Sequence, residues 1–452
     1  MTHSRGRSLR QELRGVVGLA APVVVVQLGT MLMGTVDTMM LGRVSEQALA
    51  AGALGHAVGT ALLVLGIGIL MAMDPLAAQA FGAGDRDGMA AQLVRGTVLA
   101  LLLAVPISLA MAWIAGHLDL LGQQPELQIL AGSYLRWLVP GNAALLLFGV
   151  LRQFLQAKSL VRPAVIAIVV ANLFNVVADW ALIFGHLGLP RLEVMGSAIA
   201  TSSSRWVLFL ALLFAARPVL RPYWLRARRA AVTMRGLWQM LRIGIPVGVQ
   251  VGLEFFVFTT VALMMGNLGS RELAAHQIAI NLASLSFMVP LGIAGAAATR
   301  VGNAIGRGDS QGARLSAMVS LMVGGGVMLL FGALFRLLPS SLARLYTNEP
   351  EVIDLAALLI PIAGLFQVVD GTQVVGAGVL RGAADTRFPA VSAFVGFWLV
   401  GLPLGSWLTY GRGMGPQGLW WGLTAGLATV AVLLVMRIRV RFRQDLVAVD
   451  RV

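Results

Sequence analysis

The chain has 452 residues, of which 58% are hydrophobic and only 12% charged, and it contains no cysteine. A soluble domain carries about 25% charged residues, so the composition excludes an ordinary soluble protein, and the missing cysteines exclude disulfides and thiolate chemistry. The net charge of +14 comes from arginines that flank apolar stretches. No basic soluble module is present, which argues against nucleic acid as a partner.

Apolar stretches follow one another from the first tens of residues almost to the end, each long enough to cross a bilayer. They predict an all-α polytopic membrane protein with twelve transmembrane helices. The predicted spans of the first half are 16–41, 48–72, 93–116, 128–150, 161–185 and 196–216. Those of the second half are 237–266, 273–298, 314–337, 352–378, 388–410 and 416–437.

Arginine clusters orient these spans. The clusters comprise Arg5, Arg7, Arg10 and Arg14; Arg217, Arg221, Arg226, Arg228, Arg229 and Arg235; and Arg437, Arg439, Arg441 and Arg443. They precede the first span, follow the sixth and follow the last. Because cytoplasmic loops carry the excess of Lys and Arg, we predict that both termini lie in the cytoplasm.

The two halves of the chain repeat each other. Pro22 matches Pro246, and the segment "QAFGAGD" from Gln79 matches "NAIGRGD" from Asn303, both at an offset of 224 residues. Each half has six spans, an even number, so the halves should be related by a pseudo-twofold axis along the membrane normal, which suits alternating access. The predicted domains are an N-terminal six-helix lobe, 1–216; a cytoplasmic linker, 217–236; a C-terminal six-helix lobe, 237–437; and a basic cytoplasmic tail, 438–452.

Four acidic residues lie inside the apolar spans: Asp37, Asp179, Glu254 and Asp370. An Asp at the centre of a membrane helix costs about 2.5–3.5 kcal/mol on insertion scales. Such residues are hard to retain unless a polar ligand uses them. They indicate transport coupled to an ion.

In the N-terminal half, Asn175 and Asp179 are four residues apart and therefore share a helical face. Together with Asp37, and with Thr201 on the sixth span, they form a set of oxygen ligands suited to a hard cation such as Na⁺. Two carboxylates in a low dielectric also resist joint ionisation, so the same set could share a proton. The residues themselves leave both possibilities open.

In the C-terminal half, Glu254 and Asp370 form the second set and a second candidate Na⁺ site. Gln250, Gln367 and Gln373 lie close to them in sequence and are expected to offer amide oxygens. The position equivalent to Glu254 across the repeat is Thr30 and not Asp37. We therefore expect the two lobes to do different work.

Several segments resemble the multidrug and toxic compound extrusion (MATE) family, nearest its NorM-like bacterial branch. They are "GTVDTMMLG", "LEFFVFTTVALMMGNLGSRELAAHQIAIN", "RVGNAIGRGD" and "VVDGTQVVGAGVLRGAADTRFP". The resemblance implies two six-helix lobes and export of cationic, amphipathic drugs or toxins in exchange for Na⁺ or H⁺. It also implies that Asp37 matches the family's first-helix acid, Asn175 and Asp179 its Asn-x-x-x-Asp pattern, and Glu254 and Asp370 its acids of the seventh and tenth helices.

From these observations we expect a monomeric secondary antiporter of the bacterial inner membrane, surrounded by lipid, with no enzymatic activity and no cofactor beyond the coupling ion. A flippase for lipid-linked precursors would instead need several cations lining its cleft to hold phosphates. A non-transporting polytopic protein is disfavoured by the repeat. Na⁺ and H⁺ both remain open as the coupling ion.

Overall fold

The computed structural model describes residues 8–122, 124–227 and 233–449, so the predictions for Arg5, Arg7, Arg228, Arg229 and residues 450–452 lie outside it. Within these ranges the fold is all-helical. The first seven helices are α1 (Leu9–Leu41), α2 (Glu46–Leu70), α3 (Met73–Gly82), α4 (Arg86–Ile114), α5 (Pro125–Ala157), α6 (Arg162–Phe184) and α7 (Glu193–Ala227). The others are α8 (Met234–Leu268), α9 (Ser270–Gly306), α10 (Ser310–Leu337), α11 (Pro339–Arg344), α12 (Pro350–Gly382), α13 (Arg387–Ala393), α14 (Leu402–Ser406) and α15 (Pro416–Arg441). Two π-helical segments, Phe394–Gly401 and Trp407–Gly411, join and extend α13 and α14.

The described residues contain twelve helical stretches that are long and apolar enough to cross a membrane. This confirms the predicted fold class and the predicted number of spans. The helices extend beyond the predicted spans: α7 continues to Ala227 and α9 to Gly306. Hydropathy marks only the apolar part of a helix, whereas the backbone hydrogen bonds continue until a cap or turn ends them. The first part of the predicted linker 217–236 is therefore helical.

The turn motif shared by the two halves ends one helix and begins the next. Gly84, between α3 and α4, has φ +71°, and Gly308, between α9 and α10, has φ +75°. Glycine adopts this left-handed conformation without steric cost. The next residue caps the following helix: Asp85 and Asp309 each accept a hydrogen bond from the backbone N–H three residues on, at 2.8 Å and 2.7 Å. Both acids therefore act as helix caps.

The contacts divide the chain into two compact units. The first unit comprises Met1–Val24, Asp74–Gly84 and Ile245–Val452, and the second comprises Val25–Met73 and Asp85–Gly244. Two segments of the N-terminal half thus group with the C-terminal half. The division into lobes 1–216 and 237–437 stays a prediction.

Buried ion pairs connect these N-terminal segments to the rest of the first unit. Arg300 of α9 donates to both carboxylate oxygens of Glu12 on α1, at 2.7 Å and 2.6 Å, and Ser316 of α10 also donates to Glu12. Arg381 of α12 donates to Asp74 of α3 at 3.0 Å. Both acids are almost fully buried. Their pairing satisfies charges that would be costly to bury alone.

The second unit packs α2, α4, α5 and α7 around an apolar core that includes Leu63, Met111, Tyr134 and Leu135. Small residues allow close helix contacts here: a side chain at Gly55 of α2 would collide with the ring of Tyr134 on α5. Helix α6 packs along α7. This arrangement holds the faces of α6 and α7 that carry polar side chains in a fixed position.

Candidate functional site

The structure brings the four polar residues predicted in the N-terminal half together in the second unit. Asp37 lies on α1, Asn175 and Asp179 on α6, and Thr201 on α7, and all four are buried. Asn175 donates through Nδ2 to one carboxylate oxygen of Asp37 at 3.1 Å. Thr201 donates through Oγ1 to the other at 2.6 Å. Each oxygen of Asp37 therefore has a donor from a different helix.

Asp179 is differently placed. It is fully buried beside Asp37 and Asn175, and neither of its carboxylate oxygens accepts a hydrogen bond of normal geometry from a described residue. The Oδ1 atom of Asn175 is also buried without a partner. Buried polar atoms are normally paired. Three unpaired acceptor oxygens beside a second carboxylate suit a bound cation, or a proton, at this point.

Arg205 and Tyr134 also belong to this cluster, although neither was predicted from the sequence. Arg205 follows Thr201 by one turn on α7, is buried, and donates through Nη1 to Oδ1 of Asn142 at 3.1 Å. It interacts electrostatically with Asp37 and with the hydroxyl of buried Tyr134 on α5. None of the four acids has a basic residue near it within its own predicted span, so the local sequence does not indicate Arg205 as a neighbour. The spacing of four between Thr201 and Arg205 is the signal that could have found it.

The second predicted set lies in the first unit. Glu254 of α8 accepts hydrogen bonds on Oε1 from Nε2 of Gln250, at 3.1 Å, and from Nε2 of Gln373 on α12, at 2.7 Å. The sequence analysis expected these amides to present their oxygens, and toward Glu254 this expectation does not hold. A carboxyl oxygen accepts hydrogen bonds and the NH₂ group is the donor of an amide, so these amides point their NH₂ groups toward Glu254.

Asp370 and Gln367 also lie on α12. Asp370 is buried and interacts electrostatically with Glu254, which brings the two acids of this set together. Gln367 is directed elsewhere: its Nε2 donates to the carbonyl of Ala283 on α9 at 3.0 Å. Its Oε1 is buried with no partner in the described part of the chain. The structure thus shows no hydrogen bond from Gln367 to either acid.

We expect the substitution Gln373→Leu to destabilise the first unit by about 1–2 kcal/mol. It removes the shorter of the two hydrogen bonds to Glu254, and hydrogen bonds between membrane helices are worth about 0.6–1.7 kcal/mol, with more for a charged acceptor. Thermal unfolding of the purified protein in detergent measures the change. Thr372→Val is the matched control, because the Thr372 hydroxyl bonds only to the backbone of its own helix, at Val368. Equal effects of the two substitutions would contradict the role given to Gln373.

The two sets are not equivalent across the repeat. Thr30, at the position matching Glu254, donates its hydroxyl to the carbonyl of Val26 in its own helix at 2.9 Å. The position matching Asp37 is Val261, a buried aliphatic residue. Among the described residues, no three His, Cys, Asp or Glu side chains converge on a common point. Each set holds two carboxylates, and with neighbouring oxygen atoms such a pair can bind a monovalent cation or a proton.

Comparison with known proteins was made on the whole chain. The MatE family model matches residues 22–181 and 246–407. The multidrug resistance protein NorM of Burkholderia vietnamiensis is 38% identical over 98% of this chain and 97% of its own length. The multidrug resistance protein PmpM of Pseudomonas aeruginosa is 36% identical over 96% of this chain and 93% of its own.

The fold is also similar to solved structures. The crystal structure of the eukaryotic MATE transporter AtDTX14 superposes with a TM-score of 0.87 at 26% identity, covering 95% of this chain and 96% of that one. An outward-facing multidrug resistance MATE transporter of the MOP superfamily gives a TM-score of 0.83 at 21% identity, over 98% of this chain and 99% of that chain. The similarity therefore covers both halves of the chain and the helices that carry both acidic sets.

Proposed function

The chain belongs to the MatE family and is a multi-pass membrane protein, and we propose that it is a multidrug exporter that exchanges amphipathic organic cations for Na⁺ or H⁺. Its relatives are named multidrug resistance proteins, which supports drugs or toxins as the substrate class. We further propose that it works as a monomer in the bacterial inner membrane with both termini in the cytoplasm, and that it needs no cofactor.

One observation carries this proposal: the cluster of Asp37, Asn175, Asp179 and Thr201 contains buried acceptor oxygens without donors. An unpaired buried acceptor costs about 1–3 kcal/mol, so these oxygens favour a partner that supplies a positive charge or a proton. A monovalent cation or a proton fits both the charge and the oxygen donors.

The proposed mechanism is competition for carboxylates. A coupling ion that binds an acidic set from outside neutralises it and weakens its hold on the organic cation, which then leaves. A ligand shifts a conformational equilibrium only by its differential affinity for the two states. The ion and the substrate must therefore prefer opposite states of the transporter.

The test is transport by the full-length protein reconstituted into vesicles. Ethidium movement is followed by fluorescence under an imposed Na⁺ gradient, an imposed pH gradient, or neither. We expect one of the two gradients to drive ethidium against its own gradient, and the effective gradient identifies the coupling ion. Asp354→Asn, which neutralises an exposed acid of α12, is the control and should transport like the wild type. If neither gradient drives ethidium, the proposed exchange is wrong.

A further inference from the structure

A basic cleft of about 310 Å³ opens in the second unit where α4 begins and where α5 and α7 end. Three cationic side chains line it, together with two prolines, one valine and one tyrosine. The lining residues are Arg86, Lys158, Pro218, Val219, Pro222, Tyr223 and Arg226. The cations lie at the ends of three different helices, so the tertiary fold, and not the local sequence, brings them together.

The contacts around this cleft keep its cations in place without neutralising them all. The Nζ atom of Lys158 lies 4.6 Å from the centre of the Tyr223 ring, a cation–π contact. Arg226 pairs with Asp87 at 3.2 Å, but both side chains are largely exposed, so this pair is weak. Among the described residues, Asp87 is the one acid that forms an ion pair with any of the three cations lining the cleft. The cleft therefore retains a net positive charge.

A second basic cleft, of about 390 Å³, lies in the first unit between α10 and α15. It also has three cations, and its wall is more apolar than that of the first. The lining residues are Arg314, Ala317, Met318, Leu321, Val435, Ile438, Arg439, Phe442 and Arg443. Arg314 donates to the backbone carbonyls of Arg443 and Gln444, at 3.1 Å and 3.4 Å, which fixes the end of α15 against α10. None of the lining residues is acidic.

The sequence repeat relates the two clefts. The offset of 224 residues places Asp85, the cap of α4, on Asp309, the cap of α10. By the same order of spans, α7 and α15 are the sixth and the last span of their halves. The first cleft lies where the third, fourth and sixth spans of its half meet, and the second lies between the third and sixth spans of the other half. Each has three cations and apolar residues in its wall, although the cations do not occupy matching positions.

We propose that these two clefts bind the headgroups of anionic phospholipids from the cytoplasmic leaflet. Helix ends at a cytoplasmic face are expected to be basic, but that tendency requires neither a concave site nor an apolar wall beside the cations. A phospholipid supplies both partners: a phosphate for the cations and acyl chains for the wall. Basic pockets between spanning helices on the cytoplasmic side are suited to such headgroups. The proposal depends on the predicted topology and does not depend on the transport mechanism.

Native mass spectrometry of the full-length protein tests the proposal. The protein is reconstituted in phosphatidylcholine containing phosphatidylglycerol, extracted into mild detergent, and its retained phosphatidylglycerol is counted. We expect the wild type to retain two molecules. Lys158→Gln with Arg226→Gln, and Arg439→Gln with Arg443→Gln, should each retain one, and the combination of all four substitutions none. Arg336→Gln with Arg344→Gln removes two exposed arginines away from the clefts and should retain two.

Two outcomes would overturn the inference. One is equal retention of phosphatidylglycerol by the wild type and by all variants that unfold at the wild-type temperature. The unfolding temperature shows whether each variant is folded. The other is full displacement of phosphatidylglycerol by equimolar glycerol phosphate, because a site that also holds acyl chains should prefer the lipid. Retention should fall as salt is raised during extraction, since partly exposed charges are screened.

Discussion

The substitution Asp37→Asn should lower gradient-driven export by at least about tenfold while leaving the protein folded. Asp37 accepts hydrogen bonds from both Asn175 and Thr201, and it interacts electrostatically with Asp179. An interaction with a charged group is worth about 1.5–3 kcal/mol, which corresponds to about 10- to 100-fold in ion affinity. The amide keeps the shape of the side chain but loses the charge. Ethidium transport in vesicles under the effective gradient measures the loss.

A second variant separates charge from hydrogen bonding at this site. Thr201→Val removes the 2.6 Å hydrogen bond to Asp37 and retains both carboxylates. It should therefore lower the apparent affinity for the coupling ion and still permit transport at a higher ion concentration. Asp370→Asn, made in parallel, tests the set in the first unit. If Asp37→Asn and Asp370→Asn both left gradient-driven transport intact, the coupling sites proposed here would be wrong.

The sequence predicted the features of the fold that depend on local pattern. Spans of apolar residues predicted twelve crossing helices, and the repeated segments "QAFGAGD" and "NAIGRGD" correspond to matching turns in which Asp85 and Asp309 cap the next helix. The spacing of Asn175 and Asp179 placed them on one face of α6. In each case the information lies within one or two helical turns, so it can be read without knowing the tertiary structure.

Features that depend on distant partners were not predicted. Glu12 lies before the first predicted span and resembles an ordinary solvated residue near the N-terminus, yet it is buried because Arg300, 288 residues later, reaches it. Arg205 is buried within a transmembrane helix, where a charge is costly. Its environment is formed by Asn142 and by the room that Gly141 leaves on α5. The sequence of α7 alone does not indicate that Asn142 and Gly141 of α5 surround Arg205.

The substitution Arg381→Met should destabilise the first unit by about 3–5 kcal/mol, the cost of removing one partner of a buried ion pair while the other charge stays buried. Arg381 and Asp74 are only 8% and 4% exposed as side chains, and they join α12 to α3. Thermal unfolding in detergent should show a large decrease in the unfolding temperature. Arg336→Met, at an exposed position in the last turn of α10, should change it little.

The double variant Asp74→Leu with Arg381→Met decides what the pair contributes. Replacing a buried ion pair by apolar residues of similar volume is often neutral, because neither charge is then left unpaired. We therefore expect the double variant to recover most of the stability that Arg381→Met loses. Such a recovery would show that the loss comes from the buried carboxylate of Asp74 after its arginine has been removed. If the double variant unfolds at the same temperature as Arg381→Met, the loss arises from the packing of the arginine side chain and not from its charge. In that case side-chain packing mainly holds α3 against α12, and the ion pair contributes little net stability.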